Sequence, residues 1–406
     1  MWYHGLFGNS KKAKKALEHY GSVERLYEVV ANDEDTDGLL RGFSRQKLTS
    51  YSLFDASESI ELCRDIGGDV ITFESEYYPK RLLEINDYPL ILFYHGDREV
   101  LRENVNVAIV GSRKAPDEAL EISYNSAYNL AKTGAVIVSG AANGIDTAAH
   151  KGAVAAGGAT VGVLGCGLGN EYMDRLGDFY DEVCENGIFI TEMLPFAEPS
   201  KFTFPERNRM ISGMSDSVLV TFAGEKSGSL ITAATAKKQK RRVYAMSEKI
   251  FLSDGCKKLI SEGAYIFNNA GDIVYPLREK YGGRLEESYC NRSVEAVSLD
   301  KEAYTVAPVK KQDSAETEKK TSAAPKKNAE KKATTPAEEE KTVRELPDSF
   351  SEEAKKIYSV LLDGKRDVNS LVDMTGLPVR AVLMSVSELE IYGFVKNLPG
   401  AVVEVI

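Results

Sequence analysis

Short runs of apolar, mostly β-branched residues alternate with longer amphipathic stretches through the middle of the chain. The runs that predict strands are Val107–Val110, Val136–Val138, Thr160–Leu164, Ile188–Thr191, Val218–Thr221, Val243–Met246 and Ala264–Phe267. The stretches with helical spacing are Asp117–Lys132, Gly144–Ala156, Gly228–Gln239 and Gly255–Glu262. Apolar strands joined through helices are typical of a parallel sheet covered on both faces. We therefore expect an α/β domain at 71–284, with a Rossmann-like, doubly wound, mainly parallel sheet.

The residues before this pattern predict short helices and a connector. Helical spacing at Lys11–Tyr20 and Ser22–Val30, separated by Gly21, predicts a small helical domain of the SAM or helix-hairpin type at 1–70. A connector follows with two strand-like pieces, Asp69–Phe73 and Leu90–Tyr94. The lysines at positions 11, 12, 14 and 15 fit either a contact with a DNA backbone or a solvated helix face.

The composition changes after residue 285. Lys, Glu, Ala, Thr, Ser and Pro dominate residues 285–346, which predicts a disordered, charged linker. Residues 347–406 then predict three helices, Glu352–Leu362, Val368–Thr375 and Pro378–Tyr392, followed by two short strands. That order is typical of a winged-helix domain. Because basic residues are few there, DNA reading and a protein-interaction or packing role both stay open.

Overall composition excludes some classes of function. The chain has 406 residues, 43% of them hydrophobic, and a formal net charge of -10, which argues against a general nucleic-acid coat but allows a local basic groove. No apolar run is long enough for a membrane span, and the first residues lack a signal-peptide pattern, so we expect a cytoplasmic protein without membrane attachment. The five cysteines are scattered, and there are only four histidines, so we expect no disulfide framework and no metal site.

Glycine- and serine-rich loops follow several of the predicted strands. They contain Gly111-Ser112-Arg113, the segment from Ser139-Gly140 through Gly144 to His150, Gly165 to Gly169, and Ser227-Gly228-Ser229. Such loops allow close approach of a ligand and direct backbone N–H groups and helix N-termini at anions. Since ligands of doubly wound sheets bind beyond the carboxyl ends of the strands, the loops predict a phosphate-binding crevice there. Neither a dinucleotide nor a P-loop fingerprint is present, which disfavours NAD and ATP.

Basic and aromatic residues accompany these loops. Arg113 and Lys201 lie in or beside them, and the segment from Phe204 to Arg209 combines an aromatic ring with two arginines. Arginine binds phosphate through paired N–H groups, and aromatic rings stack on unpaired bases. The alternative is that Arg207 and Arg209 form structural ion pairs and Phe204 lies in the core.

The sequence does not predict a catalytic site. Asp146 and His150 lie four residues apart and could pair on one helix, but no serine or cysteine nucleophile accompanies them convincingly. A helix-start aspartate that contacts loop amides, supported by the histidine, is the favoured interpretation.

Four segments carry a resemblance to a known family. They are Gly111-Ser112-Arg113, Ser139-Gly140-x-Ala142-x-Gly144-Ile145-Asp146-x-x-Ala149-His150, Phe204-Pro205-x-Arg207-Asn208-Arg209-x-Ile211-Ser212-Gly213 and Ser227-Gly228-Ser229-Leu230-Ile231-Thr232-Ala233. In order and spacing they resemble the DNA-processing protein A (DprA/Smf) family across residues 105–270. The chain departs from that family at Phe222-Ala223, usually Glu-Ala, and at Ser247-Glu248, usually Pro-Gly.

The resemblance implies a bacterial recombination mediator that is not an enzyme and needs no cofactor. Members bind single-stranded DNA, protect incoming strands, load the RecA recombinase during natural transformation and form homodimers through the α/β domain. The resemblance implies a DNA-binding set at Gly111, Ser112, Arg113, Ser139, Gly140, Gly144, Lys201, Phe204, Arg207, Asn208, Arg209, Ser227, Gly228 and Ser229.

Two other functions stay open at this point. One is a nucleotide-processing enzyme similar to phosphoribohydrolases, although the Pro-Gly-Gly start and the catalytic Glu of their motif are missing around Ala223–Leu230. The other is an interaction scaffold in which the linker and the winged helix recruit partners. Loss of DNA binding on changing Arg113 would argue against the scaffold.

Overall fold

A computed structural model describes most of the chain. It covers residues 1–305 except 9, 36, 103, 201, 252 and 296–298, and residues 346–405 except 348–349, 379–380, 383–384, 387, 390–393 and 399–401. The chain divides into two compact units, Met1–Glu316 and Thr317–Ile406, and each is described by itself. The predicted linker lies mostly at 306–345, outside the described residues.

A nine-stranded sheet forms the centre of the first unit. Its strands are β1 (Asp69–Thr72), β2 (Ile91–Gly96), β3 (Asn106–Val110), β4 (Val136–Ser139), β5 (Thr160–Val163), β6 (Gly187–Thr191), β7 (Ser217–Val220), β8 (Arg242–Met246) and β9 (Tyr265–Phe267). They lie in the order β1-β2-β6-β5-β4-β3-β7-β8-β9. The pairs β1–β2 and β2–β6 are antiparallel and the others are parallel. This confirms the predicted mainly parallel α/β fold.

Helices connect the strands and cover the sheet. They are α1 (Trp2–Phe7), α2 (Lys11–Tyr20), α3 (Val23–Asn32), α4 (Arg45–Leu48), α5 (Leu53–Asp65), α6 (Asp117–Lys132), α7 (Ile145–Ala155), α8 (Glu171–Asp174), α9 (Asp178–Asn186), α10 (Thr203–Gly213), α11 (Gly228–Lys238), α12 (Asp254–Ser261) and α13 (Gly271–Lys280). The central strands are buried along their whole length, as expected for apolar β-branched strands covered on both faces.

The strand order fixes where a ligand can enter. From β3 the chain moves outwards through β4, β5 and β6, and then returns to β7 on the other side of β3. The loops that leave the carboxyl ends of β3 and β7 therefore diverge, which opens a crevice between them.

The N-terminal helices do not form the separate domain that the sequence predicts. Trp2, Tyr3 and Leu6 of α1 share one hydrophobic core with Leu164 and with Phe189 of β6. His4 of α1 also contacts the Glu192 carbonyl oxygen through its ring Nε2, at 2.6 Å. Apolar residues at the spacing of an amphipathic helix do not say which surface they cover, and here they cover the α/β unit.

The predicted start of the linker at residue 285 is wrong. Leu285, Cys290 and Val294 are buried in the core of the α/β unit, as is Tyr304. The backbone N–H of Glu286 donates to the Thr133 carbonyl oxygen at 2.8 Å, at the end of α6. A few well-spaced apolar side chains thus hold a polar segment on the domain surface.

The second unit contains α14 (Glu352–Leu362), β10 (Arg366–Asp367), α15 (Val368–Thr375), β11 (Val395–Leu398) and β12 (Val402–Val405). The strands form an antiparallel sheet in the order β10-β12-β11. Two helices followed by a hairpin agree with part of the predicted winged-helix pattern. Much of the predicted third helix, Pro378–Tyr392, lies outside the described residues, so the winged helix stays a prediction.

Within the described part of the chain, no helix has the length and apolar character needed to cross a bilayer. The same residues contain no group of three or more His, Cys, Asp or Glu side chains placed to hold a metal ion.

Candidate functional site

The crevice between β3 and β7 contains a cavity of about 540 Å³. Nine of the residues proposed from the sequence line it: Gly111, Ser112, Arg113, Phe204, Arg207, Asn208, Ser227, Gly228 and Ser229. They come from three separate stretches of the chain, which the switch in strand order brings to one edge of the sheet. The structure thus brings nine of the fourteen proposed residues together at one crevice, and their role in binding stays a prediction.

An arginine and an aromatic ring stack at its mouth. The guanidinium carbon of Arg113, an exposed residue in the loop after β3, lies 4.7 Å from the centre of the Phe204 ring. Phe204 lies in the first turn of α10 and is half-buried, with Tyr172 edge-on to it at 6.4 Å. A guanidinium over an aromatic face gains cation–π attraction while its outer N–H groups stay free to donate. The pair presents a charge and a stacking face side by side.

Close backbone packing fixes the loop that carries Arg113. The Ser112 backbone N–H donates to the Phe222 carbonyl oxygen at 2.9 Å, and its own carbonyl accepts from Ile145 N–H at 3.3 Å. Gly144 has φ 91° and ψ -129°, a conformation that glycine alone adopts readily. A Cβ on Gly144 would lie 2.5 Å from the Ser112 carbonyl oxygen. Gly144 thus allows the close packing that positions the Arg113 loop, although it does not itself line the crevice.

The N-terminus of α11 opens onto the same crevice. Ser227 is its N-cap: the Oγ accepts from the Ser229 backbone N–H at 3.4 Å and lies 2.8 Å from the Ser229 Oγ. Gly228, the first helical residue, is exposed. Because the first N–H groups of a helix have no intrahelical acceptor and carry partial positive charge, this end suits an anion.

A buried arginine ties the crevice floor together. Arg207 is 4% exposed, and its Nη1 donates to the carbonyl oxygens of Gly140, at 2.6 Å, and of Val163. Its Nε donates to Asn208 Oδ1 at 3.2 Å. Burial lowers the pKa of Arg207 and raises that of Asp146, whose carboxylate the positive charge of Arg207 partly stabilises. Arg207 therefore holds the ends of β4 and β5 and adds positive charge to the floor, while its N–H groups serve the protein.

Comparison with known proteins identifies the family. The sequence profile of the DNA recombination-mediator protein A family matches residues 69–278. The chain belongs to this family. It is 40% identical over 199 residues to DNA processing protein DprA of Streptococcus pneumoniae, covering 48% of this chain and 70% of that protein. It is 36% identical over 219 residues to DprA of Bacillus subtilis, covering 53% and 74%.

A solved structure agrees with this assignment. The X-ray structure of DNA processing protein A from Streptococcus pneumoniae superimposes with a TM-score of 0.58 at 30% identity, covering 68% of this chain and 97% of that one. The resemblance seen in the four sequence segments is thereby confirmed at the level of the family.

Some residues of the family pattern lie outside the crevice in this member. Ser139 is buried, and its Oγ donates to the Ile109 carbonyl oxygen at 2.6 Å, so it joins two strands. Gly140 and Gly144 support the floor and the Arg113 loop. Lys201 lies outside the described residues.

The structure corrects the prediction that Arg209 belongs to the crevice. Its side chain is buried between Glu192, at 2.6 Å, and Asp87, at 3.3 Å, and it does not line the crevice. Arg207 and Arg209 are two positions apart on α10, which rotates their side chains about 200° from one another. The alternative of a structural ion pair is therefore the right one for Arg209.

Asp146 and His150 do not form a described hydrogen bond with each other. His150 Nδ1 lies 2.6 Å from Thr160 Oγ1, whose own hydrogen goes to the Ile137 carbonyl oxygen at 2.8 Å. The ring must then donate from Nδ1. Burial lowers the pKa of His150 to about 3, so the residue is neutral.

Sequence reasoning did not assign Ile231 to the site. Ile231 lines the crevice and is 52% exposed, one turn beyond the cap of α11. It belongs to a segment used for the family resemblance, yet apolar residues in helices are usually assigned to the core. Its exposure beside the crevice is visible only in the folded structure.

Proposed function

We propose that this member of the recombination-mediator family binds single-stranded DNA in the crevice. The observation that carries the proposal is the stack of Arg113 on Phe204 beside the open N-terminus of α11. Single-stranded DNA alternates anionic phosphates with flat apolar bases, and the crevice offers a partner for each. Duplex DNA hides its base faces, so the stack favours the single-stranded form.

Electrostatics supports an anionic ligand at this place. Arg113 and Lys114 are exposed at the rim and Arg207 lies beneath, whereas Asp146 is the acidic residue among the described lining. The whole chain carries a net charge of -10. A positive crevice in an acidic protein concentrates phosphate there and discourages binding elsewhere.

We assign the crevice a binding role rather than a catalytic one. The described lining contains no cysteine or histidine. Of its three serines, Ser112 accepts from the Lys114 backbone N–H at 3.2 Å through its Oγ, and Ser227 and Ser229 bond with each other and with the α11 backbone. No described base activates them. Positioning a strand without cleaving it suits a recombination mediator.

At the level of the cell, the proposal is that the protein protects incoming single strands and loads RecA on them during natural transformation, acting in the cytoplasm as a homodimer through its α/β unit. Membership of the recombination-mediator family supports this part. A RecA strand-exchange assay on DNA coated with single-strand binding protein tests it: addition of this protein should shorten the lag, and the Arg113→Ala variant should not.

The DNA site itself is tested by fluorescence anisotropy of a labelled oligonucleotide across a salt series. Arg113→Ala should weaken single-strand binding several-fold and reduce the slope of log K against log salt by about 0.7, the value for one phosphate contact. Arg292→Ala is the matched control, because Arg292 also stacks on an aromatic ring, Tyr289, at 4.7 Å but lies outside the crevice. Equal binding by both variants contradicts the proposal and turns attention to nucleoside monophosphates.

A further inference from the structure

A second and larger cavity lies at the opposite edge of the sheet. It measures about 1140 Å³ and is bordered by Asp216 and Arg242, where β7 and β8 begin, and by the end of α11 and part of α13. Seven basic and four acidic side chains line it. We call it the basic groove. Its surplus of three positive charges stands out in a chain whose net charge is -10.

Most of the acidic side chains in the basic groove are already neutralised. Glu84 Oε2 lies 2.5 Å from Arg241 Nη1, and Asp87 Oδ2 lies 3.3 Å from Arg209 Nε. Asp216, almost fully buried, pairs with a third arginine, Arg81, and with Lys280 of α13. Glu279 is the fourth and is exposed. These ion pairs form part of the wall of the basic groove. Other basic side chains of the groove are not neutralised in this way.

Three exposed cations of the groove have no carboxylate partner within the described part of the chain: Lys238, Lys240 and Arg242. Lys240 has φ 60°, a left-handed conformation that glycine adopts without strain. A lysine therefore occupies a position whose backbone favours glycine. The lysines also outweigh the partial negative charge at the C-terminus of α11.

One face of α11 connects the two cavities. Gly228 and Ile231 line the crevice, whereas Thr235 and Lys238 line the basic groove. Their spacing of three, four and three residues places them on the same side of the helix. The face is open to solvent, with Ile231 52% exposed. From Gly228 to Lys238 the helix rises about 15 Å, which equals four to five nucleotides at the roughly 3.4 Å rise of a duplex strand.

We infer that single-stranded DNA held in the crevice continues along this face of α11 into the basic groove, where Lys238, Lys240 and Arg242 bind its phosphates. Ile231 supplies an apolar surface for bases on the way. The inference rests on the proposed DNA-binding role of the crevice and extends it to a second contact. It gives the protein a site that spans from one sheet edge to the other.

Oligonucleotide length separates the two contacts. A strand of about three thymidines is shorter than the four to five nucleotides that α11 spans and stays in the crevice. A strand of about 15 reaches the groove and lies within the usual range for single-strand sites. The double variant Lys238→Gln/Lys240→Gly should bind the long strand several-fold more weakly, with its salt slope reduced by about 1.4 for two lost phosphate contacts. Its affinity for the short strand should not change.

The control variant Lys47→Gln/Lys257→Gln removes two exposed lysines outside both cavities and should behave as the natural protein. The Lys240→Gly change relieves a strained backbone, so a thermal melt should show the groove variant to be folded. Equal binding of the long strand by the groove and control variants overturns the inference. A loss confined to duplex DNA overturns it as well.

Failure of the crevice proposal would give a different result in the same binding experiment from failure of the groove inference. In that case Arg113→Ala would bind the short strand as tightly as the natural protein does. Weakened short-strand binding in Arg113→Ala, together with unchanged long-strand binding in the groove variant, retains the crevice and removes only the groove.

Discussion

Arg207 Nη1 lies 2.6 Å from the carbonyl oxygen of Gly140. The two residues are 67 positions apart in sequence, and the bond closes the floor of the crevice where β4 ends. The same guanidinium stabilises the buried carboxylate of Asp146. An arginine that a sequence motif assigns to DNA is thus also a support for the fold.

Replacement of Arg207 should therefore reduce stability before it affects binding. Arg207→Met leaves Asp146 buried without its counter-charge, a change of about 3–5 kcal/mol in the free energy of unfolding. Urea denaturation measures it. The matched control is Arg25→Met, which removes exposed ion pairs with Glu28 and Glu34 and should leave stability nearly unchanged. Similar losses in the two variants would contradict the structural role.

Gly144 and Gly157 offer a matched pair of glycine-to-alanine changes. Both have positive φ, but a Cβ on Gly157 meets nothing within 4 Å, whereas one on Gly144 meets the Ser112 carbonyl oxygen. Gly157→Ala should destabilise by about 1–2 kcal/mol and leave DNA affinity intact. Gly144→Ala should destabilise more and also weaken DNA binding, because the Arg113 loop must move. Thermal melts and anisotropy on both variants check this; intact DNA affinity in a folded Gly144→Ala protein would refute it.

Phe204 should contribute through base stacking. Phe204→Ala should reduce affinity for single strands by about 1–3 kcal/mol, or roughly 5- to 150-fold. Phe204→Tyr keeps the aromatic face and should retain most of the affinity. With an oligonucleotide that lacks bases, Phe204→Ala and the natural protein should bind more nearly alike. A Phe204→Ala loss of the same size on that abasic strand would show that the ring supports Arg113 and does not stack on a base.

His150 makes stability depend on pH. Its pKa is about 3 in the folded protein and about 6.5 in the unfolded chain. Below pH 6.5 the unfolded state therefore binds a proton that the folded state does not bind. Stability is therefore lost as the pH falls, by about 1.3 kcal/mol at pH 5.5 relative to pH 7.

His150→Asn keeps a donor for Thr160 and has no such titration. The natural protein should lose more stability than this variant between pH 7 and pH 5.5, as read from urea midpoints. Asp146 is present in both proteins, so its opposite contribution largely cancels in the comparison. Parallel loss in the two would contradict the assignment.

The strands and the crevice were predictable from the sequence because each rests on a local pattern. An apolar β-branched run that ends in glycine and serine, such as Val136–Ser139, indicates a buried strand and a ligand loop together. The different locations of Arg207, in the crevice floor, and Arg209, in a buried ion pair outside it, were not predictable. They depend on the rotation between neighbouring residues of α10 and on where Asp87 and Glu192 lie, which only the assembled fold decides.

The same holds for residues 285–305. Their composition is polar, and the few apolar side chains, Leu285, Val294 and Tyr304 among them, become informative only once their partner surface is known. The basic groove was overlooked for a related reason: its cations come from distant parts of the chain, and those of α11 also suit a helix end.

The segment at 285–305 also bears on how the protein is made. It returns to α6, an early helix of the α/β unit, where Lys301 pairs with Asp117 at 3.1 Å and Tyr304 bonds with Glu121. Domains fold as their chains leave the ribosome, N-terminal parts first. Here the flank of α6 that this segment covers stays open until residues 285–305, more than 150 positions beyond Lys132, have been translated. The α/β unit of a nascent chain is therefore complete only after 305 of the 406 residues have been made.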